Sequence, residues 1–118
     1  MEINTYDPLH APNPEAWLLL DEADRVLLVA EYHKRMKVKL PNAHIHATFH
    51  TIIENQLAAD DPPDAARALE KLISSGKDRH EAIHALGAIL AEHLQAAMQN
   101  PETGTDPTAP YVRELRKL

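Results

Sequence analysis

Two pairs of histidines in this chain sit four residues apart, His46/His50 and His80/His84. Imidazoles at i and i+4 share one helix face with Cβ atoms about 6 Å apart. Both rings of a pair can then reach one metal ion at about 2.0–2.1 Å. The second pair belongs to His80-Glu81-Ala82-Ile83-His84, the His-Glu-x-x-His pattern of zinc metalloproteases. In that pattern two histidines bind zinc and the glutamate serves as general base for a metal-activated water. One such pair in an Ala- and Leu-rich helix says little. Two pairs on different helices, both on the apolar face, can bring four imidazoles to one place.

The bland alternative is explicit. Asp78-Arg79-His80-Glu81 also fits a capping box, in which Asp78 caps the helix and Glu81 reaches back to the cap amide. Capping and metal binding are compatible for the histidines, because a helix N-terminus disfavours protonated imidazole. Only Glu81 has to choose. Glu54 stands one further i+4 step beyond His50, as a ligand, a group orienting a histidine, or a solvated carboxylate. His33 lies on the apolar stripe of an earlier helix, where it adds to the cluster or is a hydrogen-bonded core residue. His44 points away from the His46 face, and His10 and His93 carry no spacing signal. Zinc fits an imidazole-rich, cysteine-free donor set, with nickel or iron as other divalent options. Three bound histidines and an open position would favour water activation, and four would close the site.

These residues need helices to hold them. The 118 residues include three Gly and no Cys, and Ala, Leu, Glu, Lys and Arg dominate the middle. The expectation is an all-α domain, a small bundle of about four helices with extended N- and C-terminal arms. Residues 1–13 read as an arm, residues 14–98 as the bundle, and residues 99–118 as a linker with a short amphipathic segment. Asn13 and Pro14 open a short helix over Pro14–Leu20. Asp21 caps a second, from Glu22 to about Lys37, with Val26, Val29, Ala30, His33 and Met36 on one stripe. Asn42 caps a third running to about Ala59, where His46, His50, Ile53 and Leu57 align, with Phe49 beside them. Asp61 and Pro62 start a fourth, bearing Ala65, Leu69, Leu72 and Ile73, and Gly76 ends it. The last long helix, about Arg79 to Met98, puts His80, Ile83, His84, Gly87, Leu90, Leu94 and Ala97 on one stripe.

Twelve Lys+Arg against eighteen Asp+Glu give a net charge of −6. An acidic surface repels phosphate backbones, so nucleic acid is not an expected partner. The basic stretch His33–Lys39 reads as a solvated helix end, where cations oppose the negative pole of the dipole. No segment resembles a signal peptide or a membrane span, and the lack of cysteine fits a cytoplasmic location. A core of this size makes homodimerisation a natural supplement.

Three stretches, "AWLLLDEADRVLLVAEYHKR", "LPNAHIHATFHTIIENQLA" and "GKDRHEAIHALGAILAEH", resemble a family of short bacterial His-rich helical proteins known as a domain of unknown function. The resemblance rests on Trp17, Leu20, Asp21, Glu22, Tyr32, His33, Arg35, Pro41, Asn42, His46, Ala47, His50, Glu54, Asn55, Gln56 and Asp78 through His84. It covers roughly residues 16–95, and the Asp-Arg-His-Glu-Ala-x-His motif is its most specific part. It implies that Glu54, Asn55, Gln56 and Glu81 are not incidental, and it brings no reaction. Likeness to the metalloproteases ends at five residues. The glycine, distal histidine and methionine turn of one branch are missing, as is a convincing downstream glutamate helix of another.

Two functional classes follow. One is a small metal-binding protein, possessing or lacking hydrolytic activity, built on His46, His50, His80 and His84. The other is a regulatory or adaptor module or dimeric scaffold, with the histidines in a buried hydrogen-bond network and the function in the terminal arms.

Overall fold

The computed structural model describes residues 3–37, 42–99 and 107–118, and these form an all-α domain. Six helices appear among them, where the sequence predicts about four with a short extra helix at the start: α1 (Pro14–Leu19), α2 (Glu22–Arg35), α3 (Ala43–Ala59), α4 (Pro63–Ser74), α5 (Arg79–Gln99) and α6 (Thr108–Arg116). The linker expected over residues 99–110 lies mostly outside the described residues, as does the predicted break at Leu40 and Pro41, but the linker's last three residues already belong to α6.

The helix boundaries follow local chemistry. The Asn13 side chain accepts a hydrogen bond from the Ala16 amide at 3.0 Å, with Pro14 in the first turn. The Asn42 side chain accepts one from the Ile45 amide at 3.3 Å. Asp21 holds the cap position of α2 without a side-chain cap bond. Helix α2 stops at Arg35, two residues before the expected end, and Lys37 turns left-handed at φ 58°. Helix α4 starts one residue later than expected: Pro62, not Asp61, occupies the cap, and Pro63 takes the first turn. Gly76 adopts φ +113°, a backbone state that favours glycine, as its position after α4 predicts.

Helix α3 is the axis of the molecule. It packs on α1, α2, α4 and α5, while α6 closes over α4 and α5. One apolar cluster gathers Ile53, Leu69, Ile83, Leu86, Leu90, Tyr111 and Leu115 from α3 to α6. A second joins Tyr6, Trp17, Val29 and Ala47 from the N-terminal segment, α1, α2 and α3. The terminal segments expected as arms are therefore parts of the core. Tyr6 and Pro8 are buried in the extended N-terminal segment, and Tyr111 and Leu115 are buried in α6. The physical reason is simple: a chain this short buries too little surface with four helices and recruits its ends.

Polar bonds tie the same elements. Asn55 Oδ1 accepts from the Trp17 indole at 2.9 Å and from Arg25 Nη1 at 3.1 Å, while its amide donates to Glu22 at 3.1 Å. Tyr111 donates to the Gln56 side chain at 2.7 Å, and His93 pairs with Glu114 at 2.8 Å, both fastening α6. The basic stretch at the end of α2 has a structural use: Arg35 donates to the Tyr6 carbonyl at 3.2 Å and sits 5.6 Å from the centre of the Tyr32 ring.

Candidate metal centre

Where α2, α3 and α5 meet, five imidazoles converge. His33 comes from α2, His46 and His50 from α3, and His80 and His84 from α5. All four residues predicted as ligands lie in this group. His33, expected only as an addition, belongs to its centre. One ring nitrogen each from His33, His50, His80 and His84 lies within 4.8 Å of the others. A ligand tetrahedron with 2.1 Å bonds has edges of about 3.4 Å, so nitrogens as far apart as these would each move inward by up to about 0.8 Å to hold one ion. His46 is half-buried at the side of this set. Its Nε2 lies 3.2 Å from His33 Nε2 and 2.9 Å from His84 Nε2. Both are hydrogen-bond distances, with His46 Nε2 donating or accepting according to its tautomer.

Hydrogen bonds fix which nitrogens are bare. His33 Nδ1 donates to the Val29 carbonyl at 2.8 Å, one turn back along α2, which leaves Nε2 with its lone pair. His50 Nε2 lies 2.7 Å from the Tyr6 hydroxyl. That hydroxyl donates its single proton to Glu54 Oε2. Tyr6 Oη must then accept from His50 Nε2–H, which leaves Nδ1 bare. His50 Nδ1 is buried without a hydrogen-bond partner, and so is His80 Nε2. A buried ring nitrogen without a partner costs about 1–3 kcal/mol, and this cluster holds two of them.

Electrostatics favours the neutral form of His46, His50, His80 and His84. Burial, reinforced by the neighbouring histidines, pushes His50 down to about 2 from the ordinary 6.5. Burial and then His80 push His84 down to about 4. His46 is lowered by burial and then by His33, and His80 by burial and then His33, with Asp78 opposing. Neutral imidazole is the form that binds a metal.

Glu54 is the residue most poorly placed by sequence. A solvated position was one of its three expected states, yet it is 1% exposed. Arg79 donates to both its oxygens at 2.8 Å, and Arg79 Nη1 also donates to the Pro8 carbonyl at 2.9 Å. Glu54 thus orients His50 through Tyr6, a carboxylate held behind the ring, as metal-binding histidines commonly have. Burial and the Glu54 charge raise the Tyr6 hydroxyl well above its ordinary value, so it stays protonated.

Glu81 is exposed and stands outside the converging nitrogens. Its amide donates to Asp78 Oδ1 at 2.8 Å, so Asp78 does cap α5. The reciprocal bond of a capping box, from the Glu81 carboxylate, is not found among the described residues. His44 and His10 are exposed. Tyr6 and Arg79 are the participants that sequence reading missed. Tyr6 sits in a segment without periodicity. Arg79 had a signal, because it lies inside the most specific motif.

An open cavity of about 390 Å³ adjoins the cluster, with His46, His50 and His84 in its wall beside Ile45, Phe49 and Ile83. No helix among the described residues is long and apolar enough to cross a membrane.

No curated protein and no solved structure matches the chain. Over residues 8–117 it matches the family model described as Domain of unknown function (DUF1841). A small helical chain whose own histidines converge at the meeting of three helices thus belongs to the DUF1841 family.

Proposed function

We propose that the protein binds a divalent transition metal, zinc above all, on His33, His50, His80 and His84, with His46 as a fifth imidazole beside them. The observation that carries this reading is the pair of buried, partnerless nitrogens, His50 Nδ1 and His80 Nε2, within a set of converging imidazoles. An ion supplies the missing partner for both. Imidazole suits zinc, nickel, iron and copper, and the absence of thiolate disfavours Cu(I).

Hydrolysis is the finer part of the proposal. Five imidazoles exceed what a four-coordinate ion needs, and the fifth, His46, lines with His50 and His84 a cavity that a water or substrate can enter. His46, beside the four ligands and in the cavity wall, is then the residue to hold or move a proton. Glu81 is the other base, and its exposed position makes it the weaker of the two. The alternative reading, a regulatory module or dimeric scaffold with hydrogen-bonded histidines, has less support. The network it requires leaves two buried nitrogens unpaired, and the terminal segments it would use are folded into the core. A homodimer is compatible with either reading, since Leu18, Leu19 and Leu27 are exposed on α1 and α2.

The test is metal analysis of protein purified without a histidine tag, then titration of the stripped protein with zinc, nickel and iron(II). The expected result is about one equivalent bound, lost when His50 and His80 are both replaced by Ala. Less than about a tenth of an equivalent after zinc is supplied would overturn the reading.

A further inference from the structure

The cavity beside the cluster has unusual chemistry for its size. At about 390 Å³ it falls within the range of small-molecule sites. Ile45, Phe49, Ile83, Gly87, Ala88 and Ala91 make one side of it apolar. Its ionisable groups are His46, His50 and His84, all at the wall shared with the proposed metal centre. Among the described residues no carboxylate lines it.

Charge decides what fits. Every residue in the converging set is a histidine, and imidazole coordinates a metal as a neutral ligand. A divalent ion there would keep its full +2. Glu54 does not offset it, because Arg79 already holds both carboxylate oxygens and Tyr6 stands between Glu54 and His50. A half-buried, uncompensated dication attracts an anion strongly. The cavity is the accessible side from which an anion can arrive, and its walls favour carbon.

We infer that this cavity takes a small carboxylate with an apolar tail, the carboxylate toward the histidine wall and the tail against Phe49, Ile83 and Gly87. The inference rests on the metal reading and names the ligand class of that same site. A Cβ added at Gly87 would meet Phe49 Cβ at 3.9 Å and Ile53 Cγ1 at 4.0 Å, ordinary contacts. A larger side chain there grows into the cavity while sparing the histidines.

The experiment is calorimetric titration of the full-length protein, stripped and zinc-loaded, with 3-phenylpropanoate, acetate and 3-phenylpropanol. The zinc-loaded protein is expected to bind 3-phenylpropanoate at least about tenfold more tightly than acetate, since burying a phenyl group is favourable. The alcohol, and the acid with stripped protein, are expected to bind at least about tenfold more weakly. Gly87→Leu and, independently, Ala91→Phe should lower affinity for 3-phenylpropanoate about tenfold with zinc stoichiometry and acetate binding unchanged. Two cavity variants guard against misfolding of either one. Zinc bound without preference for the longer acid, or a preference that survives both variants, overturns the inference and leaves the metal centre standing. No zinc bound overturns both.

Discussion

The hydroxyl of Tyr6 lies 2.7 Å from Nε2 of His50, across 44 residues of sequence. Because the same hydroxyl donates to Glu54, the contact fixes the His50 tautomer and turns its bare Nδ1 toward the other imidazoles. Tyr6 is a positioning residue. Its ring is also packed, 5.7 Å from Trp17 and 6.2 Å from Tyr32 between centres. Tyr6→Phe keeps the ring and deletes the hydroxyl. Zinc affinity, measured by competition with a chromophoric chelator, is expected to fall about 10- to 100-fold with the circular dichroism unchanged. Unaltered affinity would remove Tyr6 from the centre.

The ion pair between Arg79 and Glu54 is almost fully enclosed, with side-chain exposures of 11% and 1%. Removing one partner leaves a buried charge without compensation. Arg79→Ala is expected to cost about 3–5 kcal/mol in urea unfolding. Glu54→Gln with Arg79→Met, which replaces both charges, is expected to recover part of that loss. A loss below about 1 kcal/mol for Arg79→Ala would show that water reaches the pair.

Acidification acts on the metal-free protein in one direction. His50 and His84 titrate near 2 and 4 in the folded chain, against about 6.5 when unfolded. Between about pH 4 and 6.5 the unfolded chain binds protons that the folded chain refuses, so stability rises with pH across that window. The histidine contribution is full above 6.5 and declines as the pH falls. Urea midpoints of stripped protein are expected to drop from pH 7 to pH 5, and replacing His50 and His84 by Gln should flatten that slope. A slope unchanged by the double replacement would assign it to other groups.

Helix α6 is a structural element in this reading. Leu115 is fully buried against the cluster that holds Leu69 and Leu86, and Tyr111 bonds to Gln56. Leu115→Ala is expected to destabilise by about 2–5 kcal/mol, the range for truncating a buried leucine. Thermal unfolding checks it, and a change within about 0.5 kcal/mol, typical of surface sites, would mean that the segment is not docked in solution.

Glu81→Gln separates capping from chemistry. Asp78 holds the Glu81 amide through the backbone, which the substitution keeps. Zinc stoichiometry and affinity are expected to stay within about twofold of the wild type, as for an exposed side chain away from the ligands. A tenfold loss of affinity would bring Glu81 into the centre.

The sequence by itself determined the helices and the faces of the histidines. Local spacing does this: i, i+4 pairs lie on one side of a helix, and Asn13, Asn42 and Gly76 mark helix ends by bonds and dihedrals within a few residues. It therefore placed His46, His50, His80 and His84 inward without any knowledge of partners. Tertiary structure alone decided what each face meets. His33 enters the centre because α2 crosses α3 beside His46, a relation no local period encodes. Glu54 lies one turn beyond His50, and the same spacing serves a solvated carboxylate and a buried one. Only Arg79 and Tyr6, arriving 25 and 48 residues away along the chain, make its burial tolerable. The terminal segments were legible as irregular or short, yet their docking depends on apolar surface that the other helices leave open. Periodicity is a property of one segment, whereas burial and charge compensation belong to pairs of segments, and those pairs exist only after the chain has folded.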